Sequence, residues 1–131
     1  MARHFTLDQA TALLPQLTPL LEEIVALQPR LVQAEQGLVA RNWQARTNGQ
    51  VHHDDPSGAE HAARAQVLAE LNARIARLLE LGVELKDPSS GLIDFPSLRE
   101  GRVVYLCWRL GEPAIEYWHD IDTGFAGRQR L

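Results

Sequence analysis

The residues best equipped for chemistry cluster in one run, Tyr117-Trp118-His119-Asp120-Ile121-Asp122-Thr123-Gly124-Phe125-Ala126-Gly127-Arg128. A histidine followed by carboxylates at one and three positions supplies a base with an orienting acid, or two ligands for a divalent metal. His119 and Asp122 are the candidate pair. Adjacent residues of an extended strand point to opposite faces, so Asp122 or Glu112 suits His119 as a second metal ligand better than Asp120 does. Gly124 and Gly127 let backbone amides approach a ligand. Arg128, with Arg109, has the planar fork that holds a carboxylate or phosphate, which makes Arg109, Glu112 and Arg128 candidate ligand-binding residues. The competing account is structural: a tail that caps a sheet, with Arg128 in an internal ion pair and His119 as a strand-end hydrogen bonder.

A second concentration of imidazole and carboxylate is Val51-His52-His53-Asp54-Asp55, with His61 a little further on. Such groups suit zinc, nickel or another first-row divalent ion. Adjacent histidines rarely chelate one ion rigidly, and the sequence has no pair of histidines four apart, so a solvated loop explains this run as well. The single cysteine, Cys107, lies between Leu106 and Trp108. It excludes an internal disulfide and any cysteine-rich zinc site. Without an evident activating base it reads as a small buried hydrophobe.

These residues need elements to place them. Thr6-Leu7-Asp8-Gln9 is a capping box, with Phe5 before it as a hydrophobic staple on Ala10. From there Ala10, Leu13, Leu17, Leu20, Ile24, Leu27, Leu31, Ala34 and Leu38 follow a three-four spacing, the seam of a long helix packed on another. Pro15, Pro19 and Pro29 are expected to break or kink it. A polar stretch from Thr47 to Pro56 separates it from a second capping box, Ser57-Gly58-Ala59-Glu60, and a second seam at Leu68, Leu71, Ile75 and Leu78, ended by Gly82.

Beyond Gly82 the apolar residues turn aromatic and β-branched, the composition of strands. Val83–Lys86, Leu92–Phe95, Arg102–Leu110 and Ala114–His119 are the expected strands. A two-residue turn at Gly111-Glu112 would pair positions whose numbers sum to 223 and set Cys107 against Glu116, whose charge opposes a thiolate. The fold class is therefore α+β in a single domain, residues 1–131: a kinked, coiled-coil-like antiparallel helical hairpin over 1–82, then a small antiparallel sheet and tail over 83–131.

The 131 residues are 45% hydrophobic and 23% charged, with a net charge of −4. This composition excludes wholesale disorder and argues against a general nucleic-acid binder or an anionic-membrane binder. The uncharged run Gln9–Leu21 is shorter than the roughly 18 apolar residues of a membrane span. A cytoplasmic protein is expected.

Several segments resemble a known family. Phe5-Thr6-Leu7-Asp8 with Leu13-Leu14-Pro15, Val83 to Asp87, Gly91 to Pro96, Val104 to Glu112, and Tyr117 through Arg128 are similar to a bacterial and archaeal family catalogued as domain of unknown function 2203. The resemblance implies a small stand-alone cytosolic protein and no particular reaction. It covers nearly the whole chain but not Gln44 to Pro56, which favours the carboxyl-terminal corner over the His52–Asp55 loop as a site. Asp94-Phe95-Pro96 and Gly111-Glu112-Pro113 read as turns, whose acids would lock structure. Two function classes stand: a non-catalytic interaction or scaffolding module, forming a homodimer or holding a protein partner, and a small metal-dependent or acid–base enzyme centred on His119. The apolar residues Leu14, Leu21 and Val25, beside the main seam, are the expected source of self-association.

Overall fold

The computed structural model describes residues 3–48 and 58–131, with side chains over 3–40 and 58–131. Helix α1 runs Leu7–Asn48 and helix α2 Gly58–Leu81. Five strands follow: β1 (Glu84–Asp87), β2 (Leu92–Arg99), β3 (Arg102–Arg109), β4 (Tyr117–Asp120) and β5 (Gln129–Arg130), with a single 3-10 turn at Phe125–Gly127 before the last. Two helices packed on each other and a five-stranded antiparallel sheet make this an α+β fold. The strand order is β1-β2-β3-β4-β5, so each strand pairs with its neighbour in sequence.

The helix signals act as their chemistry requires. The Thr6 amide donates to Gln9 Oε1 at 3.0 Å and the Gln9 amide to Thr6 Oγ1 at 3.1 Å, the reciprocal bonds of a capping box. At the end of α2, Gly82 adopts φ 83°, with Val83 N bonded to Leu78 O and Gly82 N to Leu79 O. That is a Schellman termination, and it needs the left-handed conformation glycine tolerates. Contrary to expectation, no proline breaks α1, which is continuous through Pro15, Pro19 and Pro29. All three are exposed, so the carbonyls left without a donor face water instead of a core. The second capping box falls partly outside the described residues, since Ser57 is not among them.

The chain divides into two compact units, residues 1–25 with 74–131, and residues 26–73. In the second, Leu27, Val67 and Leu71 are buried, and Arg30–Glu70 and Glu35–Arg64 pair across the helices at 3.3 and 3.5 Å. Partner numbers fall on α2 as they rise on α1, so the helices run antiparallel. In the first unit, Ala10, Leu17, Leu21, Ile24 and Leu78 are fully buried, as are Ile93 and Phe95 of β2. Phe5 meets Phe95 edge-on with ring centroids 5.4 Å apart. Leu21 is therefore core, and Leu14 and Val25 are half-buried, which overturns the expectation that these residues form an uncovered stripe. A stretch of α1 within Leu7–Ala40 is long and apolar enough, by length and composition alone, to cross a membrane, because an 18-residue window tolerates a few charges that cut a strictly uncharged run short. Within it Leu17, Leu21 and Ile24 are buried, while most of the stretch is not.

Three features of the sheet differ from the sequence reading. Asp94-Phe95-Pro96 lies inside β2, which continues to Arg99 and turns through Glu100 (φ 52°) and Gly101 (φ 77°) into β3. Two successive positive φ angles make the tight turn whose twist suits a hairpin. Pro96 is tolerated because β1 pairs with β2 only up to Asp94; at Pro96 the edge is met by Phe5, whose amide donates to the Pro96 carbonyl at 2.7 Å. The β3–β4 connection spans residues 110–116 rather than two residues, and the pairs are Tyr105↔His119, Leu106↔Trp118 and Cys107↔Tyr117. These sum to 224. A shift of one residue exchanges the faces of β4 relative to β3. Finally, β5 adds a short strand from within the tail.

Replacing Phe95 by Ala should cost about 3–5 kcal/mol of unfolding free energy, while exposed Val39→Ser should stay within about 0.5 kcal/mol, both read by urea titration.

Candidate functional site

With this register Asp94, Cys107 and His119 share the outer face of the sheet, opposite the face that carries Phe95, Leu106 and Trp118. Asp94 stands directly across from Cys107, and His119 lies two pairs along, across from Tyr105. The three are 2%, 1% and 2% exposed. Their nitrogen, sulfur and oxygen ligand atoms lie within 4.8 Å of one another.

The histidine's hydrogen bonds define its tautomer. Nδ1 is 2.7 Å from the Asp120 carbonyl oxygen, which can only accept, so Nδ1 carries a proton. Nε2 is 2.9 Å from Asp94 Oδ2, and that contact needs one proton held between the two groups. The other carboxylate oxygen, Oδ1, is buried without a hydrogen-bond partner among the described residues. Burial pushes the Asp94 carboxyl above the usual carboxylate range, with His119 pulling the other way. Burial, and then the negative charge of Asp94, push the Cys107 thiol up to about 12. Unaided, Cys107 is therefore a neutral thiol at physiological pH.

The tail closes over this cluster. Phe125 is contacted by two guanidinium groups, Arg109 at 4.3 Å and Arg128 at 4.2 Å from the ring centroid, and Arg128 also covers Tyr117 at 4.0 Å. Arg128 Nη1 donates to both oxygens of Glu112 at 3.1 Å, and Glu112 Oε1 accepts from the Arg109 amide at 2.6 Å. Gly127 is pressed against Thr123 so closely that a Cβ would clash with it. What remains open is a cleft of about 270 Å³ bounded by Lys86, Leu92, Ile121, Gly124 and Phe125, with Asp94 and His119 at its base. A larger groove of about 410 Å³ lies beside Phe5, Leu98 and Trp118, but among the described residues no cluster of buried metal-ligating groups faces it.

The sequence-derived candidates thus separate. His119 is in the buried cluster. Asp122 is exposed in the turn after β4 and not part of it, while Asp120, on the opposite face, pairs with Arg102 at 3.1 Å. Arg109, Glu112 and Arg128 engage one another and Phe125, forming the clamp on the tail. His61 is exposed in the first turn of α2, and His52, His53, Asp54 and Asp55 lie outside the described residues. Asp94 and Cys107 were not singled out as ligands from sequence. Asp94 was hidden by the turn-like Phe95-Pro96 that follows it, and Cys107 by a register that set it against Glu116.

A family model for an uncharacterized conserved protein, DUF2203, matches residues 3–131. The chain belongs to the DUF2203 family. Neither the curated proteins nor the solved structures yield a match. The matched span contains the whole outer-face cluster and its clamp, so the DUF2203 assignment covers every residue of the site described above.

Cys107 should resist alkylation by iodoacetamide at pH 8 in the native protein, reacting at least about 100-fold more slowly than a free thiol of ordinary pKa near 8.5. Gly127→Ala, which forces the tail away from Thr123, should raise that rate severalfold while far-ultraviolet circular dichroism stays unchanged. Mass spectrometry of the labelled protein reads both.

Proposed function

We propose that this DUF2203 protein is a small-ligand-binding protein that works through the outer-face cleft, with the Asp94–His119 pair as its central group. One observation carries the reading: the buried pair Asp94 and His119 lies at the base of an open cleft, with the buried Cys107 thiol close beside it. Burying a carboxylate costs several kcal/mol even after relaxation, and replacing such polar pairs by apolar residues is often neutral or stabilising. A sheet that needed only a core would fill these three positions as it fills the opposite face, with Phe95, Leu106 and Trp118. Perturbed, desolvated groups under a cleft are the usual mark of a working site. The reading sets the protein in the cytoplasm, where a free cysteine stays reduced.

The test is a titration of isotope-labelled protein with divalent metal chlorides, inorganic phosphate and short carboxylic acids, followed by nuclear magnetic resonance. At least one class should shift His119, Ile121 and Phe125 while leaving Val32 and Val39 unmoved. If no class shifts them and the double variant Asp94→Leu/His119→Leu is as stable as the parent, the cleft is a structural corner and the reading fails.

A second reading, self-association as an interaction module, draws on a different observation. Val32 and Val39, two turns apart on α1, are 51% and 68% exposed beside Ala40. Such a strip matches the apolar seam of a helix that packs on a partner. Light scattering at about 50 µM should then report a dimer, a range that populates a complex of micromolar affinity. Val32→Glu/Val39→Glu should return it to a monomer, and a monomeric parent protein would exclude the reading.

A further inference from the structure

We propose that the ligand of the outer-face cleft is a divalent transition-metal ion of the zinc class, held by Asp94, Cys107 and His119 with a fourth position open to the cleft. The inference rests on the reading of that cleft as the functional site and gives its ligand a chemical identity.

Donor types come first. One thiolate, one imidazole and one carboxylate form a mixed set that suits zinc, cobalt(II) or iron(II) and does not suit calcium or magnesium, which want oxygen alone. The spacing also fits. With bonds of about 2.0–2.3 Å, ligand atoms around one tetrahedral ion stand roughly 3.4–3.7 Å apart. Here the three atoms already lie within 4.8 Å, and Asp94 Oδ2 is 2.9 Å from Nε2. An ion between them requires the oxygen and nitrogen to part by about half an ångström and the sulfur to close by about one, within the reach of side-chain torsions. The residues need no new backbone, because the β2–β3–β4 ladder fixes all three on one face.

The ring is oriented for the task. A metal-binding imidazole usually donates its other N–H to a carbonyl or carboxylate, which fixes its tautomer. His119 Nδ1 makes that bond to the Asp120 carbonyl, leaving the Nε2 lone pair for an ion. Among the described residues Asp94 Oδ1 meets no nitrogen or oxygen donor and has only the weakly donating Cys107 thiol beside its carboxylate, so a buried oxygen faces the cluster with capacity for a cation.

Charge balance completes the case. On binding, the thiol proton and the proton shared by Asp94 and His119 leave to solvent as two hydrons, and three metal–ligand bonds form with no change in oxidation state. The thiolate and carboxylate then carry two negative charges against the ion's two positive ones, so the buried site becomes neutral. The positive charge of Arg128, near Cys107, favours the thiolate there. Three protein ligands and an open fourth position, facing Phe125 and Ile121, match the pattern of sites that exchange a water or substrate rather than of closed structural sites.

The experiment uses the full chain, stripped with chelator and then titrated with cobalt(II) alone and zinc alone. One ion per chain should bind, cobalt should give the near-ultraviolet charge-transfer band of a thiolate ligand with the strong visible bands of a tetrahedral ion, and zinc should displace it. Two protons should be released per ion in weakly buffered solution. Cys107→Ala should abolish the charge-transfer band and lower affinity by more than about 100-fold. His119→Gln should do the same to affinity, with far-ultraviolet circular dichroism confirming the fold of each variant. The parent titration decides the matter even where a variant fails to fold. Binding no tighter than about 1 mM, bound cobalt without a thiolate band, or loss of binding in His52→Ala/His53→Ala/His61→Ala but not in Cys107→Ala would each overturn the proposal. Should phosphate or a carboxylic acid perturb His119 and Phe125 while neither metal binds, the cleft remains the functional site and the metal assignment alone falls. If nothing perturbs them, both fall.

Discussion

Everything on the outer face depends on how β4 is set against β3. The pairing of Tyr105 with His119 and of Cys107 with Tyr117 puts the imidazole and the thiol on one side of the sheet. One residue of slip would send His119 to the face occupied by Leu106 and Trp118, and the two groups could never meet. The seven residues 110–116 hold that setting through one side chain in particular. Glu112 accepts from the Arg109 amide at the end of β3 and from Arg128 beyond β4, while its carbonyl accepts from the Trp108 indole at 3.2 Å. A carboxylate that ties the strand before the connection to the tail after it leaves little freedom for the strand between them.

The clamp works on the same residues for a second reason. Phe125 lies against the guanidinium groups of Arg109 and Arg128, and Arg128 is itself charge-neutralised by Glu112. Partly desolvated cation–π contacts are worth about 1–2 kcal/mol each. Phe125 walls the cleft above Asp94 and His119, and Asp94 is the negative charge that acts directly on the Cys107 thiol. The outer face thus combines an apolar lid, a cationic frame and a buried carboxylate, a combination that the opposite, aliphatic and aromatic face does not share.

Much of the scaffold was legible in the sequence, and the reasons are local. A capping box needs only Thr6 and Gln9, a Schellman end only Gly82, and the helical seams only the spacing of Leu17, Ile24 and their neighbours. A break at the prolines did not follow because their effect depends on which way they face: Pro15, Pro19 and Pro29 are all exposed, a property of packing rather than of order along the chain. The site was half legible. His119 stood out by its company, but the partners that reach it come from other strands, at separations of 12 and 25 residues. Asp94 sat before a proline that normally marks a turn, and only the loss of the β1 partner at that point lets Pro96 stay in a strand. Cys107 was paired with the wrong residue because a two-residue turn was assumed where seven residues intervene. Register is set by the connection, and the connection was the least patterned segment.

The stitch between Phe5 and β2 has a kinetic meaning. A meander joins each strand to the one before it, and such contacts close small loops that form quickly. The Phe5 amide on Pro96 and the Ser97 hydroxyl on the Phe5 carbonyl, at 2.7 and 2.6 Å, join positions about ninety residues apart. Their closure carries the larger entropy of a long loop. By that entropy the strand pairs favour closing ahead of the stitch, which occupies the Pro96 carbonyl that β1 leaves open beyond Asp94. Until it forms, Pro96 to Arg99 is a bare strand edge, the kind of surface on which two chains pair with each other. The same two hydrogen bonds that tie residue 5 to β2 therefore also cover the one stretch of that edge that β1 does not pair.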